Sequence, residues 1–118
     1  MPLKRIGVGP RMSKVVINGN NVHLCGLVAR DADGKSVADQ TADILEQIDG
    51  FLAEAGSDKT KIVKAMIWLT DMATWPEMNT VWDAWVDPEQ TPVRAAVHSP
   101  QLAGPQFTVE IMVDAVID

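Results

Sequence analysis

The chain has 118 residues, a formal net charge of −6 and 47% hydrophobic residues, enough for one domain over residues 1–118 and too few for a second module. One cysteine, Cys25, and two histidines far apart in sequence exclude an internal disulfide framework and a Cys/His metal set. No run approaches the roughly 18 apolar residues of a membrane span and no signal-peptide core follows the start. A cytoplasmic protein without membrane contact is expected, and its acidic balance disfavours nucleic-acid partners.

Ile6 and Val8, Lys14 to Asn18 and Val22 to Val28 read as three short strands. The stretch Asn18-Gly19-Asn20-Asn21 predicts a hairpin between the last two, with a turn longer than the tightest kind. Asp31-Ala32-Asp33-Gly34 breaks the pattern. Ser36 with Asp39 resembles a capping pair, and Thr41, Ile44, Leu45, Ile48, Phe51, Leu52 and Ala55 recur at helical spacing up to Gly56. Ile62 to Leu69, rich in Ile, Val and Trp, reads as a strand ending at Thr70-Asp71. A second helix follows. Thr74 and Glu77 suggest its capping box, Trp75, Met78, Trp82, Trp85 and Val86 its apolar stripe, and Asp87-Pro88 its end. Val93 to His98 and Gln106 to Val116 complete the order βββ-α-β-α-ββ, an α+β chain with a mixed sheet of about six strands and two helices on one face.

Alternation along strands assigns faces. Val109, Ile111, Val113 and Ala115, together with Val63, Ala65, Ile67 and Leu69 and with Val93, Ala95 and Val97, are expected under the helices. The opposite face then holds Met66, Trp68, Ala96 and Met112, beside Arg94, His98 and Glu110. So much apolar surface without intramolecular cover predicts burial against another subunit. Arg94 stands out, because it interrupts the apolar strand Pro92-Val93-Arg94-Ala95-Ala96-Val97 and calls for an anion. Two readings stay open: a structural ion pair with Glu110 across the sheet, or a planar fork gripping a small carboxylate while Glu110 holds a water or a proton nearby. His23 shares a strand face with Cys25, a spacing open to a thiol-imidazole pair, although no orienting carboxylate is evident.

Several segments in order carry a resemblance: Gly9-Pro10, Leu24-Cys25-Gly26, Gln40-Thr41, Leu52-Ala53-Glu54-Ala55-Gly56-Ser57, Ile62-Val63-Lys64-Ala65, Leu69-Thr70-Asp71-Met72, Met78-Asn79, Pro92-Val93-Arg94 and Val109-Glu110-Ile111. Across nearly the whole chain they resemble the RidA/YjgF family of reactive-intermediate deaminases, of which this chain looks like a divergent member. The resemblance implies a chorismate-mutase-like fold assembled as a homotrimeric barrel, helices outside, with clefts between subunits. It implies hydrolysis of 2-imino or enamine acids, such as 2-aminoacrylate, to 2-keto acids and ammonia, with no cofactor and no metal. Arg94 would bind the substrate carboxylate, Glu110 would place the water, and Cys25, Gly26 and Ala96 would complete the pocket; Asn79, at a helix position the family uses, joins the substrate-binding set.

The chain also departs from that pattern. Arg11 stands after Gly9-Pro10 where active archetypes carry tyrosine, Leu27 replaces a glutamine, Cys25 a serine or threonine, and Ala96 a cysteine or threonine. Arg11 as a second cationic contact would suit a more anionic substrate. A small-carboxylate binding or regulatory role in the same fold is the alternative. Endoribonuclease and chaperone-like activities are also described in the family, and the net charge speaks against the nuclease.

Overall fold

A computed structural model describes residues 2–118. Strands β1 (Lys4–Val8), β2 (Ser13–Asn18) and β3 (Asn21–Leu24) form an antiparallel meander. Asn18 pairs directly with Asn21, so the hairpin loop has two residues and is tighter than its sequence suggests. Gly19 makes this possible: its φ of +61° supplies the left-handed first position of a tight hairpin turn, which other residues resist. The third strand is also shorter than expected. It stops at Leu24, and after the break at Cys25-Gly26 only Leu27 returns to the sheet, as an isolated bridge to Ile111.

Helix α1 (Val37–Glu54) starts where Ser36 Oγ accepts a hydrogen bond from the Asp39 amide, the cap anticipated from the sequence. Its buried stripe includes Thr41, Ile44, Leu45, Ile48 and Leu52. After a 3-10 turn at Lys59–Lys61, β4 (Ile62–Leu69) leads through a second such turn at Met72–Thr74 into α2 (Trp75–Trp85). Here the expected Thr74/Glu77 capping box does not form. Thr74 is already helical and its hydroxyl donates to the Asp71 carbonyl. Glu77 instead accepts from the Ala38 amide at 2.8 Å, placing its carboxylate at the positive end of α1 and tying the two helices together.

Strands β5 (Val93–His98) and β6 (Val109–Val116) complete a six-stranded sheet in the order β1-β2-β3-β6-β4-β5. Every pairing is antiparallel except β4 with β5, which run parallel because α2 carries the chain back across one face. Both helices lie on that face, over Val15, Val22, Leu24, Ala65, Ile67, Leu69, Val109, Ile111, Val113 and Ala115, all buried. The α+β reading, the strand count and the helix placement expected from sequence are those found.

The assignment of faces along β5 is reversed. Arg94 pairs with Ala65, Ala96 with Ile67 and His98 with Leu69, and since paired residues point to the same side, these three face the helices. Val93, Ala95 and Val97, beside Lys64, Met66 and Trp68, belong to the uncovered face instead. Sequence reasoning placed the apolar residues of β5 inward, but β5 is an edge strand and the apolar set is the one left bare: Val93 is 67% exposed and Val97 37%. Val63, also expected inward, is 51% exposed where an irregularity between Ile62 and Lys64 shifts the β4 register.

Gln40 is fully buried and sequence alone offers no role for it beyond its place in the family pattern. Its Nε2 donates to the Lys35 and Gln106 carbonyls, and its Oε1 accepts from the Thr108 amide. One carboxamide thus pins the irregular stretch before β6 onto α1. Gln40→Leu leaves these three backbone groups without partners and is expected to lower unfolding free energy by about 2–4 kcal/mol. Urea denaturation measures it; a change under about 0.5 kcal/mol would mean that water takes over these bonds.

Candidate functional site

The candidate residues fall into two sets on opposite faces of the sheet. On the helix side, at the β5 edge, the Arg94 guanidinium lies over the Trp82 ring, its carbon 5.2 Å from the ring centroid. Trp82 is buried and forms a floor that holds the fork in place without consuming its hydrogen-bond donors. Among the described residues Arg94 makes no ion pair. Ala96 follows on the same side of β5. Asn79 is one helical turn before Trp82 on α2, so the two share a helix face. Its Oδ1 is buried without a hydrogen-bond partner, an acceptor left over by the fold and therefore notable.

On the uncovered face sit Cys25, Gly26 and Glu110. Glu110 pairs with Trp68 across the β6–β4 ladder, and its carboxylate occupies the space a side chain at position 26 would need, since a Cβ there would collide with Glu110 Oε2. Burial raises the Glu110 carboxyl above its ordinary pKa, and no ion pair among the described residues offsets it. Arg94 and Glu110 therefore do not pair within one subunit, which removes the structural ion-pair reading.

Cys25 lies between two charges of opposite sign. Burial raises its thiol most, the Lys14 ammonium lowers it, and the nearby Glu110 carboxylate raises it again, for a net upward shift. Such a thiol stays protonated at neutral pH and is a poor nucleophile. The carboxylate that sequence did not reveal beside His23 is Asp114, whose Oδ1 is 2.6 Å from His23 Nδ1 and whose other oxygen is 3.6 Å from Lys64 Nζ. That network holds His23 to β6. Arg11 occupies the exposed bend between β1 and β2, and His98 is exposed at the end of β5.

A depression of about 440 Å³ lies under the loop before β6, lined by residues including Thr70, Gln101 and Phe107, and contains neither Arg94 nor Glu110. Among the described residues each set holds one charged group without an ion-pair partner.

The model of the family described as endoribonuclease L-PSP matches residues 4–117. A RutC family protein of Haemophilus ducreyi is 39% identical over 98% of this chain and 97% of its own, and the RutC family protein YoaB of Escherichia coli is 39% identical over 99% and 100%. The crystal structure of a YjgF-family member from Neisseria meningitidis has a TM-score of 0.95 at 44% identity, covering 100% of this chain and 97% of that one. The chain belongs to the RidA/YjgF family, which also carries the RutC and L-PSP descriptions. Among the described residues no helix is long and apolar enough to cross a membrane.

The Gly26 contact gives a direct test of the Glu110 geometry. Gly26→Ala displaces only the end of a flexible side chain, so stability should change by at most about 1 kcal/mol. Carbon-13 NMR titration should find the native Glu110 carboxyl above the ordinary glutamate range and the variant's returned towards it; an unmoved titration would show that the carboxylate does not rest on Gly26.

Proposed function

We propose that this protein is a cofactor-independent deaminase that hydrolyses 2-imino and enamine acids to 2-keto acids and ammonia, in clefts formed between the subunits of a homotrimer. The observation that carries this reading is the separation of Arg94 from Glu110 by the thickness of the sheet, each unpaired. A cleft that uses both charges takes Arg94, Ala96 and Asn79 from one protomer and Glu110, Cys25 and Gly26 from its neighbour. The apolar strip of exposed Val93, Ala95, Val97 and Met112 and half-buried Met66 and Trp68 supports the same assembly, since three such faces turned inward cover one another.

The chemistry asks little of the protein. Arg94 accepts the substrate carboxylate on its fork and, being permanently protonated, aligns the molecule without moving protons. Glu110, ionised, accepts a hydrogen bond from water and directs its oxygen to the imine carbon. The C–O bond forms as the C=N π electrons move to nitrogen. Both protons of the water then pass in turn from oxygen to nitrogen, the C–N bond breaks, ammonia leaves and the carbonyl of the keto acid remains.

The test is a coupled assay in which an amino-acid oxidase generates the imine and semicarbazide traps what survives. Arg94→Ala should lower deamination at least about a hundredfold, while loss of its contact with Trp82 costs only about 0.5–1 kcal/mol of stability. Retained activity in a folded variant would sink the assigned role. Keto-acid binding without turnover by the native protein would instead select a non-catalytic carboxylate receptor. The family's L-PSP description raises RNA cleavage as another activity, which the charge of −6 disfavours.

Two further outcomes follow from the same geometry. Arg94→Ala and Glu110→Gln, each inactive alone, should regain roughly a quarter of native activity when co-expressed at equal levels, because random mixing of a head-to-tail ring restores that share of clefts. No recovery in verified mixed trimers would place both residues in a single protomer's site. Activity should also fall on the acid side through an apparent pKa above the ordinary glutamate value, as Glu110 gains its proton, and a native pH–rate profile whose acid limb lies at the ordinary glutamate value would count against that role.

A further inference from the structure

One cation on the Glu110 side has no task in the reaction above. Lys14, on β2, stands opposite Cys25, whose amide donates to the Lys14 carbonyl at 2.9 Å. Its side chain rises on the uncovered face, with its first methylenes over Gly7, where any Cβ would come within 2.6 Å of Lys14 Cγ. The bare backbone at Gly7, in the left-handed region at φ +64°, gives the lysine stem its bed.

The charges on this face run against those of the whole chain. By register, Arg5, Lys14 and Lys64 project there with only Glu110 and Asp114 as carboxylates, although the protein carries a net charge of −6. Asp114 is engaged by His23 and Lys64. Glu110 and Lys14 both act electrostatically on the Cys25 thiol, from either side, yet form no ion pair with each other within 4.0 Å. An ammonium and a carboxylate thus flank the Cys25-Gly26 break with a gap between them. Closing a neighbouring subunit over this face would remove water from Lys14, and an ammonium so enclosed needs an anion.

We propose that Lys14 binds a second anionic group on the substrate, so that the preferred substrates are dicarboxylic 2-imino acids. The inference rests on the deaminase reading. Arg94 holds the carboxylate next to the imine carbon, and Lys14 receives the carboxylate at the far end of the side chain. Arg11 was the sequence-based candidate for this second contact; the strand register favours Lys14, which faces Cys25 directly.

The experiment compares two imines of nearly equal shape, generated from glutamate and from glutamine by amino-acid oxidases with catalase present, using native protein, Lys14→Met, Lys14→Arg and Arg94→Ala. Native protein is expected to favour the glutamate imine in kcat/KM by at least about tenfold. Lys14→Met should erase that preference and Lys14→Arg should restore most of it, whereas Arg94→Ala lowers turnover of both imines. Equal native turnover of the two, or an equal effect of Lys14→Met on both, overturns the inference and leaves the deaminase reading standing; the latter pattern would assign the Lys14 charge to a carboxylate of the neighbouring subunit. Turnover of neither imine, nor of any monocarboxylic imine, overturns both.

Discussion

The parallel alignment of β5 with β4 governs where the chemistry-bearing groups lie. The crossover through α2 returns the chain in the same direction over one face, and the register that results sets Arg94 beside Ala65 and Ala96 beside Ile67. From that single alignment Arg94 falls on the helix side and rests on Trp82. β6, entering antiparallel on the other flank of β4, puts Glu110 beside Trp68 on the bare side. Had β5 slipped by one residue, both charges would share a face. As built, each is held in place by packing and kept free of an internal partner, which is the condition for meeting something from outside.

The two helices and the bare face are parts of the same arrangement. α1 and α2 cover one side of the sheet and are locked to each other by Glu77 reaching the Ala38 amide and by the Trp85 indole donating to Asp49. On the other side of the sheet Ala95, Val97 and Met112 are exposed and Met66 and Trp68 half-buried. The two sets of candidate residues border that surface, Glu110 on its floor and Arg94 on the edge strand beside it.

Much of this was legible in the sequence, and the failures have physical causes. The element order, the Ser36 cap and the faces of β6 and of β4 from Ala65 onward were readable, because those strands are central and their inward residues there are uniformly apolar. β5 misled because an edge strand bordering an uncovered face has apolar residues on the exposed side, so alternation gives the period without the direction. The Thr74-Glu77 spacing matched a capping box, but a 3-10 turn already occupies the start of α2 and another helix claims the glutamate. His23 with Asp114, Gln40 with Thr108 and Lys14 with Cys25 are contacts between distant segments or adjacent strands that no local pattern announces. Cys25, Gly26 and Glu110 lie together on one face of the sheet and Arg94 and Ala96 on the other, a division that follows from strand register and that no local pattern shows.

The fit of Glu110 against Gly26 changes how related chains should be read. The carboxylate has its position because the opposite backbone offers no side chain, so the acid and the glycine constitute one feature written at two distant places. A relative that keeps the acid but bears a larger residue across from it would hold that acid elsewhere, and a shared letter in an alignment would then conceal a different pocket.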